Sequence, residues 1–150
     1  SLGVCDLEQA ADLVEIPDIA IEILDYFPPG SLTLILPAIE TLDPRLGGDH
    51  VAVRVLADAR ARKLVSETGP LTATSANPSG DEPASDCETA AEILNLPRSA
   101  AFAGQCVGGA PSTLIRWNVS EDALQDSDWT VIREGKVRTE EIQSWSMQRT

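Results

Sequence analysis

The sequence predicts a layered α/β domain built on a mixed sheet, and three observations carry that expectation. Short runs rich in leucine and β-branched residues, Leu32 to Leu36 and Val51 to Val55, alternate with stretches whose apolar residues recur at helical spacing. Prolines and glycines separate these runs and give each a defined end. Hydrophobic residues make up 43% of the 150, enough for one ordinary domain with its own core, so residues 1–150 are expected to form a single domain.

The elements follow in order. Asp6 and Gln9 have the form of a capping box, and Leu7, Ala10, Ala11 and Val14 continue at helical spacing until Ile16-Pro17. Pro17 opens a second helix whose apolar face is Ile19, Ala20, Ile23, Leu24 and Phe27. Pro28-Pro29-Gly30 forces a turn, Leu32 to Leu36 is a buried strand ended by Pro37, and residues 38 to 49 are a loop. Along Val51 to Val55 the three valines share one face, which turns Ala52 and Arg54 to the other. Ala57 to Thr68 is a helix stopped at Gly69, and Leu71 to Thr74 is a strand running into the polar loop Ser75 to Gly80. Ser85 and Glu88 form another capping box for a helix through Leu94. Strands are expected at Ala100 to Ala103, Ser112 to Trp117 and Trp129 to Glu134, with a polar, acidic connection between Trp117 and Trp129 and a last helix from Thr139 to about Trp145.

Composition narrows the chemistry. Cys5, Cys87 and Cys106 are odd in number and widely spaced, which argues against a disulfide framework or a zinc knuckle, and His50 is the single histidine. Any metal is therefore expected to arrive with a nucleotide. No run approaches the length of a membrane span and the first residues lack a secretory pattern, so the cytoplasm is the expected compartment. With 24 acidic against 11 basic residues the net charge is −13, a surface that repels nucleic-acid phosphates at low salt and suits a salty, halophilic cytoplasm. There is no G-x-G-x-x-G, no P-loop lysine near Gly108 and no nucleophile elbow at Ser75. An enzyme on this chain is expected to align reactants without a covalent intermediate.

Four segments, in matching order and spacing, resemble the YrdC-like family: Pro29 to Leu36, Val51-Ala-Val-Arg-Val55, Gly69 to Gly80 with its Thr-Ser-Ala-Asn-Pro-Ser-Gly, and Pro111-Ser-Thr-Leu114 together with Val131-Ile-Arg-Glu-Gly135. The resemblance covers nearly the whole chain. It implies an open, twisted α/β fold and L-threonylcarbamoyladenylate synthesis: threonine, bicarbonate and ATP, with Mg2+ on the nucleotide, give threonylcarbamoyl-AMP and pyrophosphate. No permanently bound cofactor is implied, and the product passes to tRNA-modification partner proteins.

By the same resemblance Arg54, Ser75 and Ser112 contact threonine, and Asn77, Ser85, Arg133 and His50 contact ATP. Arg54 is suited to a carboxylate because its guanidinium is planar and bidentate, and it is expected to face a cavity together with Ser75 and Ser112. Without the family context each residue has an ordinary reading: an edge-strand ion pair for Arg54, a closed turn for Ser75 and Asn77, a helix cap for Ser85, a strand-edge serine for Ser112 and an exposed strand-end cation for Arg133. Thr33 and Thr74 lie in the matching motifs and read as packing or supporting residues.

The chain departs from the family pattern at several places. His50 stands where threonine is common and Pro28 where tryptophan is usual, and the connection from Ser112 to Arg133 is longer than typical. The family also begins with a segment carrying Thr-x-x-x-Tyr-Gly-Leu and Lys-x-Arg motifs that clamp the triphosphate. Ser1-Leu-Gly-Val begins just after that point, so the chain is expected to be N-terminally incomplete and weak in synthesis by itself. The alternative reading is a non-catalytic module that binds double-stranded RNA or regulates. A carbamoyl-transferring relative of hydrogenase maturation is a third, though it sits in a much larger chain.

The acidic surface generates a direct test. If it reflects a saline setting, the urea midpoint of unfolding should climb as potassium chloride rises from about 0.1 M to about 2 M, because screening shortens to a few ångströms. A midpoint indifferent to salt would remove the halophilic reading.

Overall fold

The computed structural model describes residues 1–106, 108–118 and 129–149. They fall into two compact units, Ser1–Ala73 with Pro111–Thr150, and Thr74–Ala110. The expected acidic connection between Trp117 and Trp129 lies almost wholly outside the described residues.

The first unit is a six-stranded mixed sheet with helices. Its strands are β1 (Leu2–Val4), β2 (Leu32–Pro37), β3 (His50–Val55), β4 (Leu71–Thr72), β5 (Thr113–Trp117) and β6 (Trp129–Arg133), in the spatial order β4-β1-β3-β2-β5-β6. The β1–β3 and β2–β5 pairs are parallel, and β1–β4, β2–β3 and β5–β6 are antiparallel. The helices are α1 (Leu7–Ala11), α2 (Asp18–Tyr26), α3 (Ala59–Thr68) and α5 (Thr139–Gln148).

Alternation along the strands sorts the two faces of the sheet. Leu2, Val4, Leu32, Leu34, Leu36, Val51, Val53 and Ile115 are buried in one cluster with Ala10 of α1, Ala20 and Ile23 of α2, and Ile142 and Trp145 of α5. The register pairs Leu2 with Val53, Val53 with Leu34, and Leu34 with Ile115, so this apolar row crosses four strands on one face. On the other face Arg54, Ile35 and Leu114 are half-buried and Arg116 is exposed.

Local chemistry explains where elements start. Asp6 accepts from the Gln9 N–H at 2.8 Å, while the Gln9 side chain accepts from Cys5 and donates to the Val65 carbonyl, tying α1 to α3. Asp58 caps α3, which begins at Ala59 two residues later than the periodicity suggests. At Pro28-Pro29-Gly30 the Ser31 N–H donates to the Pro28 carbonyl and Gly30 has φ +77°, the left-handed position that this turn requires.

The tightest stitching joins β5 to the connection after β6. Thr113 is fully buried, and its hydroxyl donates to the Val137 carbonyl at 2.6 Å while accepting from the Gly135 and Val137 N–H groups at 2.9 and 3.0 Å. That uses the one donor and both acceptor sites of a hydroxyl. Beside it the Lys136 N–H donates to the Pro111 carbonyl. A Cβ on residue 135 would stand 2.1 Å from the Pro111 oxygen, so only glycine permits this approach.

The second unit holds α4 (Cys87–Ile93) and a 3-10 turn at Arg98–Ala100. Two expectations are corrected here. The cap of α4 is Asp86, whose carboxylate accepts from the Thr89 N–H at 2.9 Å, and Ser85 precedes the cap. A charged acceptor one residue nearer the helix displaces the serine. The strand expected at Ala100 to Ala103 is absent, and an isolated Asp86–Gln105 bridge stands nearby in its place. Alanines have neither the β-branching nor the bulk that favours a pleated surface.

Elsewhere the differences are small. α5 runs to Gln148, three residues past the expected Trp145, and β4 is two residues long.

Because the Gly135 approach is backbone against backbone, Gly135→Ala should destabilise the chain by about 1–3 kcal/mol. Lys136→Ala next to it should stay within about 0.5 kcal/mol. Paired urea titrations of the two variants check the contrast.

Candidate functional site

The open face of the first unit gathers several of the residues singled out above. The register that pairs Leu34 with Val53 makes Thr33 and Arg54 the next rung, and Gly3 pairs Arg54 from the other side. Thr33 in turn pairs with Leu114, and Leu114 with Arg133. Arg54, Thr33, Leu114 and Arg133 thus form a row across four adjacent strands, with Ser112 one pleat before Leu114 on the same face.

Ser112 flanks this row. It is 4% exposed, and its hydroxyl lies 2.7 Å from the Thr33 hydroxyl, which is itself 2% exposed. The Arg133 guanidinium donates to the Ser112 backbone carbonyl at 2.9 Å. Together with the Thr113 clip, these contacts hold the Ser112 backbone and side chain from three directions.

Arg54 is half-buried, and none of the described carboxylates forms an ion pair with it. Its pKa is lowered from the usual arginine value, first by loss of solvent and then by the positive charge of Arg133. An arginine remains charged under any ordinary condition, so the pair makes a fixed positive field over the row. This arrangement attracts an anion.

His50 lies four residues from Arg54 at the far end of β3, opposite Pro37. It borders a shallow groove of about 620 Å3 together with Glu15, Arg116, Asn118 and Thr130. Of that lining, only His50 was marked by the sequence.

Ser75, Asn77 and Ser85 belong to the second unit. Ser75 is exposed. Asn77 closes its loop by donating from Nδ2 to the Pro78 and Asp81 carbonyls, both at 2.8 Å, which fixes the orientation of the amide. Its Oδ1 is buried and has no described partner, leaving one acceptor open to a donor group. Ser85 Oγ sits 3.4 Å from Asp86 Oδ2, and the Ser85 carbonyl accepts from the Cys106 N–H.

The anchoring role of Thr113 was not anticipated from sequence, although it lies inside the Pro111 to Leu114 motif. Among the described residues, no three of His, Cys, Asp and Glu cluster to hold a metal, and no helix is long and apolar enough to cross a membrane.

A mixed sheet, covered by helices on one face and carrying arginines and buried hydroxyls on the other, defines an open-faced α/β domain. The family model described as Telomere recombination, Sua5/YciO/YrdC, matches residues 1–135, and the chain belongs to that family. A threonylcarbamoyl-AMP synthase of Bacillus subtilis is 32% identical over 147 residues, 94% of this chain and 40% of that protein. A Methanocaldococcus jannaschii protein that provisionally bears the same name is 30% identical over 143 residues, 95% of this chain and 65% of its own length. The solved structure of P. abyssi Sua5 complexed with L-threonine superposes with a TM-score of 0.75 at 30% identity, covering 95% of this chain and 42% of that one. The chain therefore spans between about two fifths and two thirds of these relatives.

The Asn77 clip yields a local expectation. Asn77→Asp removes both donors and sets a carboxylate against two carbonyls, so amide exchange across residues 75 to 81 should accelerate about tenfold or more, since each lost bond is worth about 1 kcal/mol. The global urea midpoint should hardly move, because the loop packs no core residue. Unchanged exchange in the loop would show that the clip does not order it.

Proposed function

We propose that this chain carries the adenylate-forming chemistry of a threonylcarbamoyl-AMP synthase: threonine, bicarbonate and ATP give threonylcarbamoyl-AMP and pyrophosphate for tRNA modification. The observation that carries the reading is the half-buried Arg54, unpaired among the described residues, on the same sheet face as a buried Ser112 whose hydroxyl meets Thr33 and whose backbone carbonyl accepts from Arg133. Relatives of that name, and a Sua5 structure complexed with L-threonine, supply the substrate.

In this reading Arg54 and Ser112 take the threonine carboxylate, which leaves the amine free to form a carbamate, either from carbon dioxide with release of a proton or from bicarbonate with release of water. A carbamate oxygen then attacks the α-phosphorus, and the bond to pyrophosphate breaks. Arg133 lies at the end of the row, where its charge favours the phosphate oxygens. Ser75 is assigned to threonine, and Asn77, Ser85 and His50 to ATP, with Asn77 Oδ1 as the acceptor for a nucleotide donor group. Magnesium enters bound to ATP as part of the substrate. The reaction belongs in the cytoplasm, where tRNA-modification partners take the product.

The test uses the chain joined to the segment that precedes it in its relatives. Arg54→Lys keeps the charge and loses the fork, so threonine affinity should fall, and Arg54→Ala should cost about 2–5 kcal/mol as for a desolvated charge pair. ATP affinity without threonine should change little. A threonine affinity for Arg54→Ala within a factor of about three of the original, under 1 kcal/mol, would remove the assignment.

A further inference from the structure

The Thr33–Ser112 pair does not close its own hydrogen bonding. Two hydroxyls carry two protons, and their mutual bond uses one of them. No other hydrogen bond from either side chain is found among the described residues, although both are more than nine-tenths buried. One O–H is therefore left without a protein acceptor among the described residues, a condition that native structures relieve with an ordered water or a ligand.

Which hydroxyl keeps the spare proton follows from the surroundings. Thr33 lies mid-row on a paired strand and, like all β-branched side chains, is restricted at χ1. Ser112 precedes β5, outside the paired stretch of that strand, and its unbranched side chain turns more freely about χ1. We propose that Thr33 is a positioning residue: its hydroxyl donates to Ser112 Oγ, which directs the Ser112 proton at a carboxylate oxygen of the bound amino acid. This inference rests on the proposed role of Ser112 as a threonine contact.

The chain of donors is then Thr33 to Ser112 to substrate. Each hydrogen bond in such a relay polarises the next, so Ser112 donates more strongly than an isolated serine. The carboxylate also receives Arg54 from the neighbouring rung, which makes the site selective for a charged acceptor over a neutral one. Thr33 touches no substrate atom itself.

The experiment measures threonine and threoninamide affinity by calorimetry, with the KM values for threonine and ATP, in the chain joined to its family's preceding segment. Thr33→Val keeps the shape and removes the donor, and should weaken threonine about tenfold, the value of one hydrogen bond to a charged group, while the ATP KM stays within about twofold. Threoninamide, which lacks the carboxylate, should lose far less, so the preference for threonine over threoninamide narrows by a similar factor. Thr33→Ser should restore both quantities to within about twofold.

Arg54→Ala separates the two ideas. If Arg54→Ala weakens threonine tenfold or more while Thr33→Val leaves it within twofold, the relay is wrong and the proposed function stands. If neither variant moves threonine affinity, the functional assignment fails and the relay falls with it. A Thr33→Val protein that weakens threonine, threoninamide and ATP alike would show a structural role only, and would overturn the inference.

Discussion

The hydroxyl of Thr113 is the constraint on which the rest of the site depends. Three hydrogen bonds converge on it from the segment after β6, and that saturation binds the start of β5 to Gly135 and Val137. With the clip in place, Pro111 and Ser112 become a rigid lip beside β2, and Arg133 is drawn back to the Ser112 carbonyl. A single buried threonine thus ties the Pro111–Ser112 stretch to the Arg133–Gly135 stretch across a wide gap in the sequence.

The same economy governs charge. The chain carries a net −13, yet Arg54, Arg116 and Arg133 are all on the strands of the open face, and no carboxylate among the described residues pairs with Arg54. An acidic body with a local cationic face repels anions in general and admits them at one place. Self-repulsion between Arg54 and Arg133 is tolerated because the sheet holds their backbones, so the field exists before any anion arrives. Such preorganisation is the condition under which electrostatics aids a reaction with little rearrangement.

Much of the sheet was legible in the sequence because period-2 alternation is unambiguous when one face is buried. The three valines of β3 sufficed to assign the direction of Arg54, and the register confirms it. Element ends were less legible. Ser85-Asp86 offers two adjacent capping residues, and only the geometry decides for Asp86. The Ala100 to Ala103 strand failed because alternation among alanines carries little information about burial. The Thr113 clip and the Thr33–Ser112 contact were hidden for another reason: they join residues 24 and 79 positions apart, which no local pattern encodes. Thr33 therefore read as a packing residue, and the sequence offered only its membership of a motif as a hint. The grouping of Thr74–Ala110 as a unit of its own likewise had no compositional marker.

The strand order carries a consequence for how the chain is assembled. β1, the first three-residue strand, lies between β3 and β4, and β2 waits for a partner that begins at Thr113. Of the five strand pairs, even β2–β3 and β5–β6 are each separated by more than ten residues, and the parallel pairs close much longer loops. Chain entropy must be surrendered before most of the sheet can return any stabilisation, which favours slow folding. During synthesis the apolar row of β2 has no β5 beside it until some eighty further residues have emerged. Until then Leu32, Leu34 and Leu36 sit on an open edge, the type of surface that chaperones cover and that aggregation exploits.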